Sequence, residues 1–215
     1  MARTGKLGPG LIATGMAVVL AAVLLALLAS GPADAASRYK TVTRTFSNAQ
    51  PIAVPDAATE FTSGAAKPYP SEISVAGFRK GKVLDANVTL KGFGHAVPED
   101  VHVMLSHGAT NRTVLSSVGG GVSVNDITLR LDDEAALPMG YGGGLISGTF
   151  KPTNVWDGDF FPAPAPAASD LDKLSGFDGS NPNGPWQLWI RDSLGDYVGQ
   201  VDGGWSVTIK ARVLR

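Results

Sequence analysis

The 215-residue chain carries 18 Lys and Arg against 19 Asp and Glu, is 44% hydrophobic and has no cysteine. The near-neutral balance lacks the electrostatic footprint that nucleic acid or anionic lipid would require. Without disulfides, a domain of this length must be held by its core.

At the N-terminus, Arg3 and Lys6 precede an uncharged apolar run from Leu11 to Leu28, and Ala33-Asp34-Ala35 gives a small-x-small pattern before Ala36. This predicts a secretory signal peptide over residues 1–35 and a secreted, extracellular domain. The run just reaches transmembrane length, so an uncleaved membrane anchor over 11–28 is the alternative. Gly15 and the Gly31-Pro32 break favour cleavage. Cleavage removes Arg3, Lys6 and Asp34, so the basic count falls from 18 to 16 and the acidic count from 19 to 18, a net charge of about −2. A mature chain of roughly 180 residues buries on the order of 70% of its unfolded surface, enough for one core without covalent staples.

Residues 36–45 read as a flexible lead-in and 46–212 as the folded domain. Pro51-Ile52-Ala53-Val54-Pro55 is bounded by prolines and can be an edge strand at most. Strands follow over Glu72–Val75 and Val83–Leu90, the latter alternating Ala86, Val88 and Leu90 with Asn87 and Thr89. Residues 92–100, GFGHAVPED, read as a loop into a strand at 101–105. There Val101, Val103 and Leu105 share one face and His102 and Met104 the other. Arg112–Ser117 and Val122–Leu131 are the next strands, the latter directing Ile127, Leu129 and Leu131 inward. Between Asp132 and Asp172 only Ser147–Phe150 has strand character. Connections this long are usually functional or disordered, and Phe150, Trp156, Phe160 and Phe161 predict that this one packs down on the domain.

The last 35 residues hold the clearest pattern. The turn Asn181-Pro182-Asn183-Gly184 opens a strand with Trp186, Leu188 and Ile190 on one face and Gln187, Trp189 and Arg191 on the other. After a polar turn and Gly203-Gly204, Trp205, Val207 and Ile209 again share a face. This reads as a core-forming strand pair, a final hairpin. No stretch past Ala36 carries a helical apolar stripe over three turns. The expected architecture is all-β, an antiparallel β-sandwich.

The succession of short motifs resembles the P domain (P/Homo B domain) that follows the catalytic domain of subtilisin-like proprotein convertases. It includes Pro68-Tyr69-Pro70-Ser71, Val88-Thr89-Leu90 with Gly94-His95 and Pro98-Glu99-Asp100, and Ile127-Thr128-Leu129 before Leu131-Asp132-Asp133-Glu134-Ala135. It continues with residues 148–154 (GTFKPTN), Gly158-Asp159-Phe160-Phe161-Pro162 and the closing Trp-bearing strands, covering roughly Phe46 to Ile209. The resemblance implies a jelly-roll type of sandwich. It also implies a non-catalytic module that stabilises or contacts a subtilisin-type serine endopeptidase. His102 stands where the family tends to carry Asp, and Ser106-His107-Gly108 where it has a Gly-Pro turn. A subtilisin-like catalytic domain of roughly 250 residues or more does not fit within this sequence, so action on a separate protease is expected. The alternative is an extracellular module binding another protein or a carbohydrate, unrelated to proteolysis.

A hydrolytic triad needs a nucleophile, a histidine and an orienting carboxylate. His95, His102 and His107 are the available histidines, no Gly-x-Ser-x-Gly elbow accompanies them, and their spacing does not suit zinc. They are expected to face solvent. Carboxylates in loops suit calcium better. Asp132 and Asp133 end a strand, Asp157 and Asp159 lie in the long loop, and Asp192 and Asp196 flank the last turn. Some P domains bind structural calcium, so these six are the candidate ligands. The alternative is that they bond nearby backbone amides. Asp178-Gly179-Ser180-Asn181 begins like an EF-hand loop but lacks its Glu and reads as a turn. Trp189, out of phase with Trp186, is either a surface contact or covered by the long loop.

Overall fold

Thirteen strands and two 3₁₀ turns make up the described part of the chain, which in this computed structural model comprises residues 38–54, 64–194 and 197–215. The segments read as signal peptide and possible anchor fall outside these residues. No helix among the described residues is long and apolar enough to cross a membrane. The chain divides into units 1–39 and 40–215, and the architecture described is that of the second.

In chain order the strands are β1 (Tyr39–Asn48), β2 (Ile52–Val54), β3 (Gly64–Ala65), β4 (Ser71–Val75), β5 (Lys82–His95), β6 (Val101–His107) and β7 (Thr110–Ser116). They continue with β8 (Val124–Leu131), β9 (Gly148–Phe150), β10 (Thr153–Asn154), β11 (Gly184–Asp192), β12 (Gly199–Val201) and β13 (Trp205–Leu214). One sheet has seven strands in the order β1-β13-β5-β12-β2, with β8 and then β9 attached through β5. The other has six in the order β10-β7-β6-β11-β3, with β4 also on β11. Pairing is antiparallel except for β8–β9 and β7–β10. The chain is an all-β sandwich.

Period-2 alternation explains the core between the sheets. Ala86, Val88 and Leu90 of β5 and Trp205, Val207 and Ile209 of β13 line it from one sheet. Val103 and Leu105 of β6 and Trp186, Leu188 and Ile190 of β11 line it from the other. The two Trp-bearing strands are therefore not a hairpin. β11 pairs with β4 and β6, β13 pairs with β5, and the two indoles belong to opposite sheets. The intervening chain crosses the sandwich and lays β12 against β5 and β2 on the way. Each indole N–H has a partner: Trp186 donates to the Pro182 carbonyl at 3.0 Å and Trp205 to Ser71 Oγ at 2.9 Å.

Several stretches expected to be irregular contain strands, the short β10 and β12 among them. The proposed lead-in enters β1, because Val42 and Phe46 alternate with polar residues and pack on the core while Arg44 donates to the Gly77 carbonyl. Residues 92–95 extend β5 rather than forming a loop. Gly92, at φ +66°, sits where the β5–β8 register shifts, a bulge that lets the strand continue. The proline-bounded strand β2 does lie at a sheet edge.

The six-stranded sheet is covered on its outer face as well, so all seven residues of β6 are buried. Its cover is the segment 155–172, in which Phe161 packs with Met104 and Trp189 in a second, small apolar cluster. Trp189 thus lies under the loop. Trp156 and Phe160 do not pack down as expected; they are 60% and 64% exposed.

Candidate functional site

Outward-facing positions of the six-stranded sheet converge beneath the covering segment. Arg191 of β11 stands directly opposite His102 of β6, and Ser116 ends the neighbouring β7. Asp159 reaches down from the segment above. Its Oδ1 lies 2.5 Å from His102 Nδ1, accepts from Ser116 Oγ at 3.1 Å and from Arg191 Nη2 at 3.4 Å. Ser116 Oγ is also 2.8 Å from His102 Nδ1. Burial alone would raise the Asp159 carboxyl, but the His102 and Ser116 hydrogen bonds and the Arg191 charge hold it below the ordinary carboxylate range. Burial lowers Arg191, with Asp159 opposing that effect. Arg191 also lies over the Phe161 ring, 5.7 Å from its centroid. Tyr69 closes the edge: its hydroxyl donates to the Pro162 carbonyl at 2.9 Å, and burial pushes its pKa up to about 12.

This is a serine, a histidine and an aspartate in contact, but not in relay geometry. A triad places the nucleophile and the carboxylate on opposite ring nitrogens. Here Ser116 and Asp159 both meet Nδ1, and Ser116 is fully buried. The arrangement suits a structural ion cluster that fastens the covering segment to the sheet. The histidines do not face solvent as expected. His102 is 6% exposed, His95 is 2% and His107 is 8%. His102 lies beneath the covering segment, His107 is in phase with the core-facing residues of β6, and His95, on the other sheet, is buried against Asp192. His107 stacks on Trp186 with ring centroids 4.3 Å apart and has both ring nitrogens against carbonyl oxygens, of Pro185 and Asn181.

A second buried cluster joins His95 at the end of β5 to Asp192 at the end of β11. His95 Nε2 lies 3.2 Å from Asp192 Oδ2, with both side chains fully buried. The Asp192 Oδ1 accepts from the Leu194 amide, while Ser193 N–H donates to the Asp100 carbonyl. Burial, with the Asp192 and Glu99 charges, pushes the Asp100 carboxyl up to about 6. For His95, burial opposes protonation, but the Asp192 hydrogen bond and the Val97 carbonyl win and its pKa is raised.

The candidate calcium carboxylates are held apart in these and other contacts. Asp132 is paired with Arg130 at 2.9 Å and accepts from the Glu134 amide. Asp133 accepts from the Leu174 and Ser175 amides and so caps the second 3₁₀ turn. Asp159 and Asp192 belong to the two buried clusters, Asp157 is exposed, and Asp196 lies outside the described residues. Among the described residues no three or more His, Cys, Asp or Glu are placed to hold a metal ion. Asp132, Asp133, Asp159 and Asp192 each already serve partners of their own.

Alternation puts Arg191 and His102 on non-core faces, but no local pattern joins them or singles out Ser116 or Asp100. The β6–β11 register was the missing link. Tyr141 and Trp156, 56% and 60% exposed, meet edge to face with centroids 6.0 Å apart.

No family model, curated protein or solved structure matches the chain, and nothing among these comparisons identifies a P domain.

Proposed function

We propose that this chain is an exported, non-catalytic module of P-domain type that acts by contact on a separate subtilisin-type serine endopeptidase. The observation that carries the contact reading is the Tyr141–Trp156 pair. Large aromatics in mutual contact and more than half exposed are characteristic of interaction surfaces and their hot spots. The motif order along the chain supplies the protease as partner. The buried Ser116–His102–Asp159 group serves to hold the fold.

The test is capture from culture medium with the tagged full chain as bait, the recovered proteins being labelled with a fluorophosphonate probe for active serine hydrolases. A labelled protease retained by the wild type and lost with Trp156→Ala supports the reading. Recovery of none, or serine-inhibitor-sensitive cleavage of casein by the purified chain itself, overturns it. Calcium is a separate question for the same material: an ion bound only by the native state raises stability, by about 2.7 kcal/mol at a hundredfold excess over its Kd. An unchanged Tm between EDTA and millimolar calcium removes the ion from this reading.

A further inference from the structure

Between the β6–β7 turn and the proline-rich part of the covering segment lies a groove of about 520 Å³. That is within the roughly 300–1,000 Å³ range of small-ligand sites. Its apolar walls are Pro70, Pro164, Pro166 and the edge of Trp189. Its polar lining is Ser106, Thr110, Asn111 and Gln187, and no charged side chain lines it. Asn111 anchors the wall by donating Nδ2 to the Ala167 carbonyl at 3.1 Å, yet its Oδ1 is buried without a partner among the described residues. Ser106 Oγ already accepts from the Trp189 indole at 2.8 Å and keeps its own proton to donate. Gln187 is steadied from behind by Glu72, to which its Nε2 donates at 3.2 Å.

We propose that this groove binds a neutral saccharide. Hydroxyl and primary amide side chains both donate and accept, which matches a ligand whose hydroxyls do the same. The exposed Pro164 and Pro166 rings offer carbon surface for the apolar faces of sugar rings. The uncharged lining gives an ionic ligand nothing to pair with. An extended peptide would need free backbone groups to add a strand. Here the floor is closed, because Ser106 pairs with Asn111 and His107 with Thr110 across the hairpin. The site goes beyond the protease-contact reading and does not depend on it.

The test is isothermal titration of the full chain with cellohexaose, chitohexaose, maltohexaose and mannohexaose, alongside an alanine–proline repeat peptide. Saturable binding of at least one sugar is expected, weakened about tenfold or more by Gln187→Ala and by Asn111→Ala. Because Asn111 also anchors the covering segment, Ala109→Trp supplies an independent check. Ala109 is exposed at the groove mouth, so the indole fills the groove without removing a hydrogen bond, and binding should be lost with Tm unchanged. No sugar binding, binding indifferent to Gln187→Ala and Ala109→Trp, or binding of the peptide instead of the sugars overturns the proposal.

Discussion

Removing the Asp159 carboxylate leaves Arg191 buried against His102 and Phe161 without its one ion-pair partner among the described residues. Breaking a buried pair from one side costs about 3–5 kcal/mol, whereas replacing both partners by apolar groups is often neutral. Asp159→Ala should therefore lower stability by about that amount in urea denaturation. The pair Asp159→Leu with Arg191→Met should recover most of it. If the double variant is as unstable as the single one, the cluster does more than balance a buried charge. At this scale the sequence was informative about side-chain direction and uninformative about company. Alternation put His102 and Arg191 on non-core faces, but only the covering segment, 57 residues beyond His102 in the case of Asp159, turns those faces into an interior. Likewise the partners of the loop carboxylates, Leu174, Ser175 and His95, are distant in sequence and show in no local pattern.

Among the elements, β11 and β13 show what a local pattern omits. Each strand was legible from its own alternation, and so was the inward aim of Trp186 and Trp205. Their placement in opposite sheets was not, because partner choice depends on β4, β6 and β5. The crossing between them is constrained at Gly204. Its φ is +65°, and an added Cβ would stand 2.1 Å from the Asn48 carbonyl oxygen. Gly204→Ala should thus cost more than the ~1 kcal/mol of ordinary positive-φ strain and should loosen the β1 end. Hydrogen exchange would report this as faster exchange at β1 than at β6. Equal protection of the two would contradict the close approach. Trp205→Phe should cost about 0.5–1.5 kcal/mol beyond the lost packing, the net worth of one hydrogen bond, because Ser71 Oγ loses the indole donor but keeps the Asn48 amide at 3.3 Å.

The stability of the whole molecule should depend on pH from both sides. Asp159 and Asp132 are held below their ordinary values. Their contribution is present above about pH 4 and lost as pH falls through the lowered folded-state values. Asp100 and His95 are raised. Their contribution is present at low pH and lost as pH rises, for Asp100 between about 4 and 6. Stability should peak between about pH 4 and 6. Asp100→Asn, neutral at every pH, should match the wild type near pH 4 and exceed it at pH 7 by on the order of 2 kcal/mol. A variant weaker at both pH values would show that the Asp100 charge is accommodated rather than opposed. The measurement that bears most directly on the contact reading is the thermal inactivation of the captured serine protease with and without added chain. The wild-type chain should lengthen the half-life severalfold and the Trp156→Ala chain should leave it unchanged; an unchanged half-life in the presence of wild-type chain rules the contact reading out.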